Sequence, residues 1–442
     1  MTLFKRPLST ATALFLTAGI SLAAMAPAEA VDIKEVVSPG GIKALLVEDY
    51  TNPLIAVNFA FEGAGSTADA PGKEGTGNLM SGLLDEGAGD ITSQAFQEKL
   101  DTLGVSLSYS ASYDNFTGSF RTLVENEADA FELLRLSVNQ PRFDEEPVSR
   151  IRGQIETGII ANENDPGELV SKAWRETAFP GHPYARPSDG TVASLDKVTR
   201  EDLETYRKNG FARDNLVIGV VGAIDAVELG KQLDAVFGAL PATATLPDIP
   251  DVAPVAGKTA SVTLDVPQTT IQFVLPGVKR DDKDFFPAYL MNHILGGGSF
   301  SSRLYQEVRE KRGLAYGANS FLASFDHSAV LGASTATRAD KAQESIDIIR
   351  QEMKRMADEG PTPEELDRAK AYVKGSYAIQ NLDSSLSIAS TLVGIQLDNL
   401  GIDYIDKRQD LIDAVTLEDV RRIAKALLSV EPTVVTVGPA GA

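Results

Sequence analysis

Alternation of side-chain character is plainest at Ile55-Ala56-Val57-Asn58-Phe59-Ala60-Phe61, where successive residues would point to opposite faces of a strand. Lys43–Glu48 shows the same habit just before it. A helical stretch containing Asn78-Leu79-Met80 follows, then a glycine turn and an amphipathic helix over Ser93–Leu103. Val105–Ser112 and Phe116–Thr122 read as two further strands, and Ala128–Asn139 as a long amphipathic helix.

This order returns about 210 residues later, a period that indicates a duplicated domain rather than a solenoid. Strands are predicted at Ser261–Leu264 and Thr270–Leu275, followed by a Leu-Met helix around Tyr289-Leu290-Met291 and a second helix over Ser302–Lys311. Strands at Ala315–Ala323 and Ala329–Thr335 precede a long helix over Lys341–Ala357. Each half closes on one phrase, Val198-Thr199-Arg200-Glu201-Asp202-Leu203 against Val415-Thr416-Leu417-Glu418-Asp419-Val420. Thr199 and Thr416 are placed to cap helices whose first turns carry acids, and the β-rich runs Asn215–Val221 and Thr433–Val437 follow.

Pro241–Lys258, rich in Pro, Ala and Thr, reads as a linker draped over the surface. The predicted division is residues 31–240, a linker at 241–258, and residues 259–442. The fold class is α+β, a duplicated domain in which each half is a mixed or antiparallel sheet faced on one side by helices.

Within the second half, Tyr289–Ser320 stands out. Its helical spacing breaks at Gly296, Gly297 and Gly298, and Ser299, Ser301 and Ser302 lie where a new helix is capped. The reading is helix, glycine loop, helix, then a strand entered near Tyr316. It sets Arg309 and Tyr316 on either side of a turn at Gly313. Arg303 and Arg312 carry similar charge but fall on the wrong side of the helix or turn to join them. A phosphate loop is disfavoured, because no Gly-Lys-Ser/Thr follows and no strand precedes.

Composition narrows the classes. With no cysteine, disulfides, thiol nucleophiles and thiolate metal sites are out. Lys and Arg number 41 against 62 Asp and Glu, a formal charge of −21 that disfavours nucleic acid and anionic lipid as partners. Residues 1–30 read as an export signal: Lys5 and Arg6, an apolar run from Ala11 to Ala26, then Ala28-Glu29-Ala30 for cleavage. No later run is long and apolar enough to span a bilayer, so the expectation is an exported, periplasmic protein without a membrane span.

The glycine stretch with Arg309 and Tyr316, together with His182-Pro183-Tyr184-Ala185-Arg186-Pro187 and Gly190-Thr191, resembles the pitrilysin/insulinase family of zinc metallopeptidases over essentially all of the mature chain. The resemblance implies duplicated α+β halves forming part of a clam-shell chamber. It implies that Arg309 and Tyr316 bind substrate backbone and stabilise the transition state. Gly296, Gly297, Gly298 and Ser299 are implied as substrate-binding.

Active members of that family carry His-x-x-Glu-His on the first Leu-Met helix, with zinc on the histidines and the glutamate activating water. Here the histidine positions are Asn78 and Gly82, and the general-base position is Ser81. The third-ligand position falls at Thr157 or Gly158, with Glu156 close but out of register. His182, His293 and His327 are scattered and make no second metal site; the first two read as structural. Gly-x-Ser-x-Gly is absent.

The resemblance therefore points to the metal-free subunit of a two-chain metallopeptidase, inactive alone, with no cofactor of its own. Zinc would reside in a homologous partner subunit, and the substrate would be a peptide. The alternatives are a scaffold, or a peptide-binding protein of the same fold that cuts nothing.

Overall fold

A computed structural model describes residues 32–441. The export signal read at residues 1–30 lies outside the described residues. Two sheets carry the fold. The first contains β1 (Lys34–Val37), β2 (Lys43–Glu48), β3 (Leu54–Glu62), β4 (Ser106–Ala111), β5 (Asn115–Leu123) and β6 (Leu216–Gly222). Their spatial order is β1-β2-β6-β3-β5-β4. The second contains β7 (Thr259–Thr263), β8 (Gln268–Pro276), β9 (Ala315–Phe325), β10 (Ser328–Arg338) and β11 (Thr433–Gly438), in the order β7-β11-β8-β10-β9.

The two orders superpose once the extra edge strand β1 is set aside. In each sheet one pair is parallel, β2 with β6 and β7 with β11, and the remaining neighbours are antiparallel. This is the duplicated α+β architecture expected from the repeat. Helix starts follow the predicted chemistry. Thr199 and Asp202, and Thr416 and Asp419, form reciprocal capping boxes at the last helix of each half's closing phrase.

Helices pack on one face of each sheet, with Phe59, Phe61, Phe96 and Phe116 filling the first core and Phe273, Leu290, Met291 and Leu331 the second. The expectation that helices cover only that face needs correcting. The helix Pro166–Ala178 crosses to the second sheet, where Val170, Trp174 and Ala178 pack with Val274, Val435 and Val437. The helix Ser385–Leu397 crosses in the opposite direction, and Ala389 and Leu392 pack with Leu45 and Val221 of the first sheet. Each half thus lends a helix to the other's outer face. Gly219 permits the second exchange, since a Cβ there would stand 2.3 Å from the Ala389 carbonyl oxygen.

Residues 241–258 form no helix and little strand, and touch both halves. Thr245 N–H donates to the Asn209 carbonyl at 2.8 Å, and Val252 N–H to the His327 carbonyl at 2.8 Å. Tyr184 ties the same junction. Its hydroxyl donates to Asp114 at 2.6 Å and accepts the His327 N–H at 3.0 Å.

Candidate functional site

The second half builds its site at the open edge of its sheet. The helix Phe285–Asn292 widens into a π-type turn over His293–Gly297 instead of ending at the glycines. Such widened turns cluster at functional positions. Gly296 is buried against β9, where a Cβ would lie 2.3 Å from the Ser320 nitrogen. Gly297 and Ser299 are exposed, Gly298 is half-exposed, and Ser299 adopts φ 49°. The next helix is also widened, over Tyr305–Glu310, and Gly313 turns the chain with φ 61° as its N–H bonds the Arg309 carbonyl at 2.8 Å. β9 begins two residues later.

Arg309 donates to the Tyr305 hydroxyl, and its guanidinium also stands 4.9 Å from the centre of that ring. Phe300, 70% exposed, meets Tyr305 edge-on at 5.1 Å. Tyr316 is 86% exposed on β9. Arg309 and Tyr316 thus flank the Gly313 turn without a hydrogen bond between them among the described residues. Tyr305 and Phe300 were not singled out from sequence. The signal was present in the i, i+4 spacing of Tyr305 and Arg309, which stacks side chains on one helical face.

Below this tip sits a charged base. Arg303 is buried and forms a bond of 2.6 Å to Glu365 and one of 2.9 Å to the Gly360 carbonyl. It is a structural tie rather than a bystander of matching charge. Glu307, also buried, accepts from Lys311 at 2.5 Å and Arg312 at 2.6 Å. Burial works against its charge, but those two cations together hold the carboxyl below its usual range.

The corresponding helix of the first half, Thr76–Ser81, has six residues. Asp69 receives the N–H groups of Gly75 at 2.7 Å and Gly77 at 2.9 Å, and burial nevertheless pushes its carboxyl up to about 7. Ser81 spends its hydroxyl on the Asn78 carbonyl at 2.8 Å. At Gly82 a Cβ would lie 2.8 Å from Ile151 Cγ2, so the helix packs where a side chain would have to leave. Asn78 and Gly158 line one cavity of about 500 Å³, which brings the first histidine position together with one of the two candidates, Thr157 and Gly158, for the third-ligand position.

Two glycines, an amide and a hydroxyl turned to backbone do not fit a catalytic zinc. Among the described residues no group of three His, Cys, Asp or Glu could hold a metal ion. His182 serves the fold, its Nε2 donating to the Pro250 carbonyl at 2.9 Å and its Nδ1 accepting the Tyr184 N–H at 3.2 Å. His293 stacks on Tyr372 at 5.0 Å, with burial depressing its pKa, and His327 lies 3.4 Å from Asp251.

Residues 47–192 match the family described as Insulinase (Peptidase family M16), and residues 197–373 match Peptidase M16 inactive domain. The chain belongs to peptidase family M16. With the metal positions altered, it is a member of the inactive type. It is similar to an uncharacterized zinc protease of Streptomyces coelicolor, 26% identical over 92% of this chain and 90% of that one. The non-peptidase homolog YmxG of Helicobacter pylori is 24% identical over 87% of this chain and 89% of its own length. A crystal structure of a peptidase M16 inactive domain from Pseudomonas fluorescens superposes with a TM-score of 0.86 at 28% identity, covering 93% of this chain and 99% of that one.

Proposed function

We propose that this M16 chain is the metal-free subunit of an exported two-chain peptidase, and that Arg309 and Tyr316 are its contribution to the reaction. The observation that carries the reading is the pairing of two opposites. The metal positions of the first half hold no ligands, while Tyr316 stands 86% exposed beside the exposed Gly313 and the half-exposed Arg309.

In the assembled enzyme a homologous chain would hold the zinc. Peptide would lie as an added strand along an open sheet edge, with its carbonyl within reach of both side chains. The planar fork of Arg309 can hold an oxygen as charge builds there. The Tyr316 hydroxyl would donate to the same atom. Export to a periplasm rests on the basic and apolar pattern of the first 30 residues.

The test is co-expression with an M16 chain that carries His-x-x-Glu-His, followed by size-exclusion chromatography and hydrolysis of unstructured peptides. Arg309→Ala or Tyr316→Phe should lower kcat about 10²–10³-fold with the complex intact. Hydrolysis within about twofold of the parent would remove the pair from the reaction. The second reading, a scaffold or peptide-binding protein, draws support from the relative named a non-peptidase homolog. It requires the same substitutions to leave any partner's activity untouched.

A further inference from the structure

The cavity at Asn78 and Gly158 has acquired a chemistry of its own. Its cations are Arg175, Arg186 and Lys172, and among the described residues none of the three forms a salt bridge. Arg175 is held by aromatic faces rather than by an acid, its guanidinium 4.9 Å from both the Tyr113 and the Trp174 ring centres. Ser171 accepts one of its N–H groups at 2.8 Å. Arg186 gives two N–H groups to the carbonyls of Thr67 at 2.9 Å and Asp69 at 3.1 Å. Its Nε is buried and has no hydrogen-bond partner. That nitrogen is enclosed by protein, so an acceptor in the cavity would meet the remaining guanidinium hydrogens of the two arginines instead.

Charge and shape say which acceptor. Both arginines are half-buried, whereas the acids that also line the cavity, Glu163, Glu168 and Asp189, are exposed at its rim. That arrangement draws one negative charge inward and repels a polyanion. Ile155, Ile159 and Leu169 supply apolar wall. A volume of about 500 Å³ suits a small ligand or the last residues of a peptide.

We propose that this cavity binds an organic monocarboxylate with a short apolar body, with Arg175 and Arg186 as the carboxylate's partners. The C-terminus of a peptide and a free branched short-chain acid share that chemistry. The site lies wholly in the first half and does not depend on the role proposed for Arg309 and Tyr316.

The chain has one tryptophan, Trp174, which lies behind the cavity wall against Arg175, so its fluorescence senses the site through that guanidinium. The full exported chain alone is titrated with N-acetyl-alanyl-alanyl-leucine, the same peptide as its C-terminal amide, 4-methylpentanoate and inorganic phosphate. Calorimetry provides a second readout for variants that alter the tryptophan signal.

A saturable response is expected for the free-acid peptide, 4-methylpentanoate, or both, which identifies the source. The amide should bind at least about tenfold more weakly than the acid, since it forfeits charge-assisted hydrogen bonds. Phosphate should not compete. Arg175→Gln should abolish carboxylate binding with the thermal transition unchanged, and Arg175→Lys should retain part of it. Acid and amide binding alike, phosphate competing as well as the acid, no binding of either carboxylate at millimolar concentration, or an unaffected Arg175→Gln variant would each overturn the proposal. Because no partner chain or peptidase assay enters, failure here is distinct from failure of the two-chain reading.

Discussion

In the first half the helix Thr76–Ser81 ends after six residues, clamped at its start by Asp69 and pressed at Gly82 against Ile151. Its counterpart Phe285–Asn292 runs on through a widened turn over three glycines and delivers the chain to an exposed tip. The framework around the two is the same strand order. In one copy the altered ligand position Asn78 lines a cavity, while the other presents Tyr316 to the outside beside the Gly313 turn. Duplication preserved the scaffold, and the local packing at a few glycines decided what each copy can reach.

The contrast is broken most forcefully at the base of the tip. Arg303→Ala empties a buried position and leaves the half-buried Glu365 without its cation, and should cost about 2–4 kcal/mol. Arg312→Ala leaves the buried Glu307 still paired with Lys311 and should cost less, about 1 kcal/mol. Thermal melts of the two variants check this; equal losses would mean that the base is not built around Arg303.

On the other side of the comparison, Gly82→His reinstates the family's residue and should cost about 1–3 kcal/mol through its contact with Ile151. Ile151→Ala in the same chain should recover part of that loss. If Gly82→His alone were neutral in denaturant titrations, the early end of the helix Thr76–Ser81 would have to be ascribed to something else.

A finer probe is Tyr305→Phe, which removes the hydroxyl that receives Arg309 while keeping the ring beneath it. In the two-chain enzyme proposed above it should lower kcat about five- to tenfold with KM unchanged, in keeping with one hydrogen bond of about 1 kcal/mol. A change in KM alone would indicate that Tyr305 contacts peptide rather than positioning the arginine.

The last probe is a slope with pH rather than a loss at one condition. Asp69 is raised from 3.8 to about 7, so between those values the folded chain holds a proton that the unfolded chain has released. Stability should therefore fall as pH rises from about 4 to 7 on this group's account. Asp69→Asn should flatten that part of the curve in urea titrations across the range. An unchanged slope would show that Asp69 is ionised throughout and acts as an ordinary helix cap.

Much of this was legible in the residues because it is local. β2 and the helix Ser93–Leu103 begin and end at the residues expected from alternation and helical spacing. The capping boxes of Thr199 and Thr416 lie within four residues and need no partner from elsewhere. The loss of ligands at Asn78, Ser81 and Gly82 is a matter of side-chain chemistry alone.

What the tertiary structure decided depends on surfaces far apart in the chain. Ser385–Leu397 is apolar around much of its circumference, so its periodicity could not say that it crosses to the other half's sheet. Nor does spacing reveal that Gly82 meets Ile151, or that Gly158 and Arg186 share a cavity with Asn78. Those outcomes rest on which close approaches remain free of clashes once both sheets are packed. A residue's own chemistry sets what it can do; the packing of distant segments sets whether anything is there to receive it.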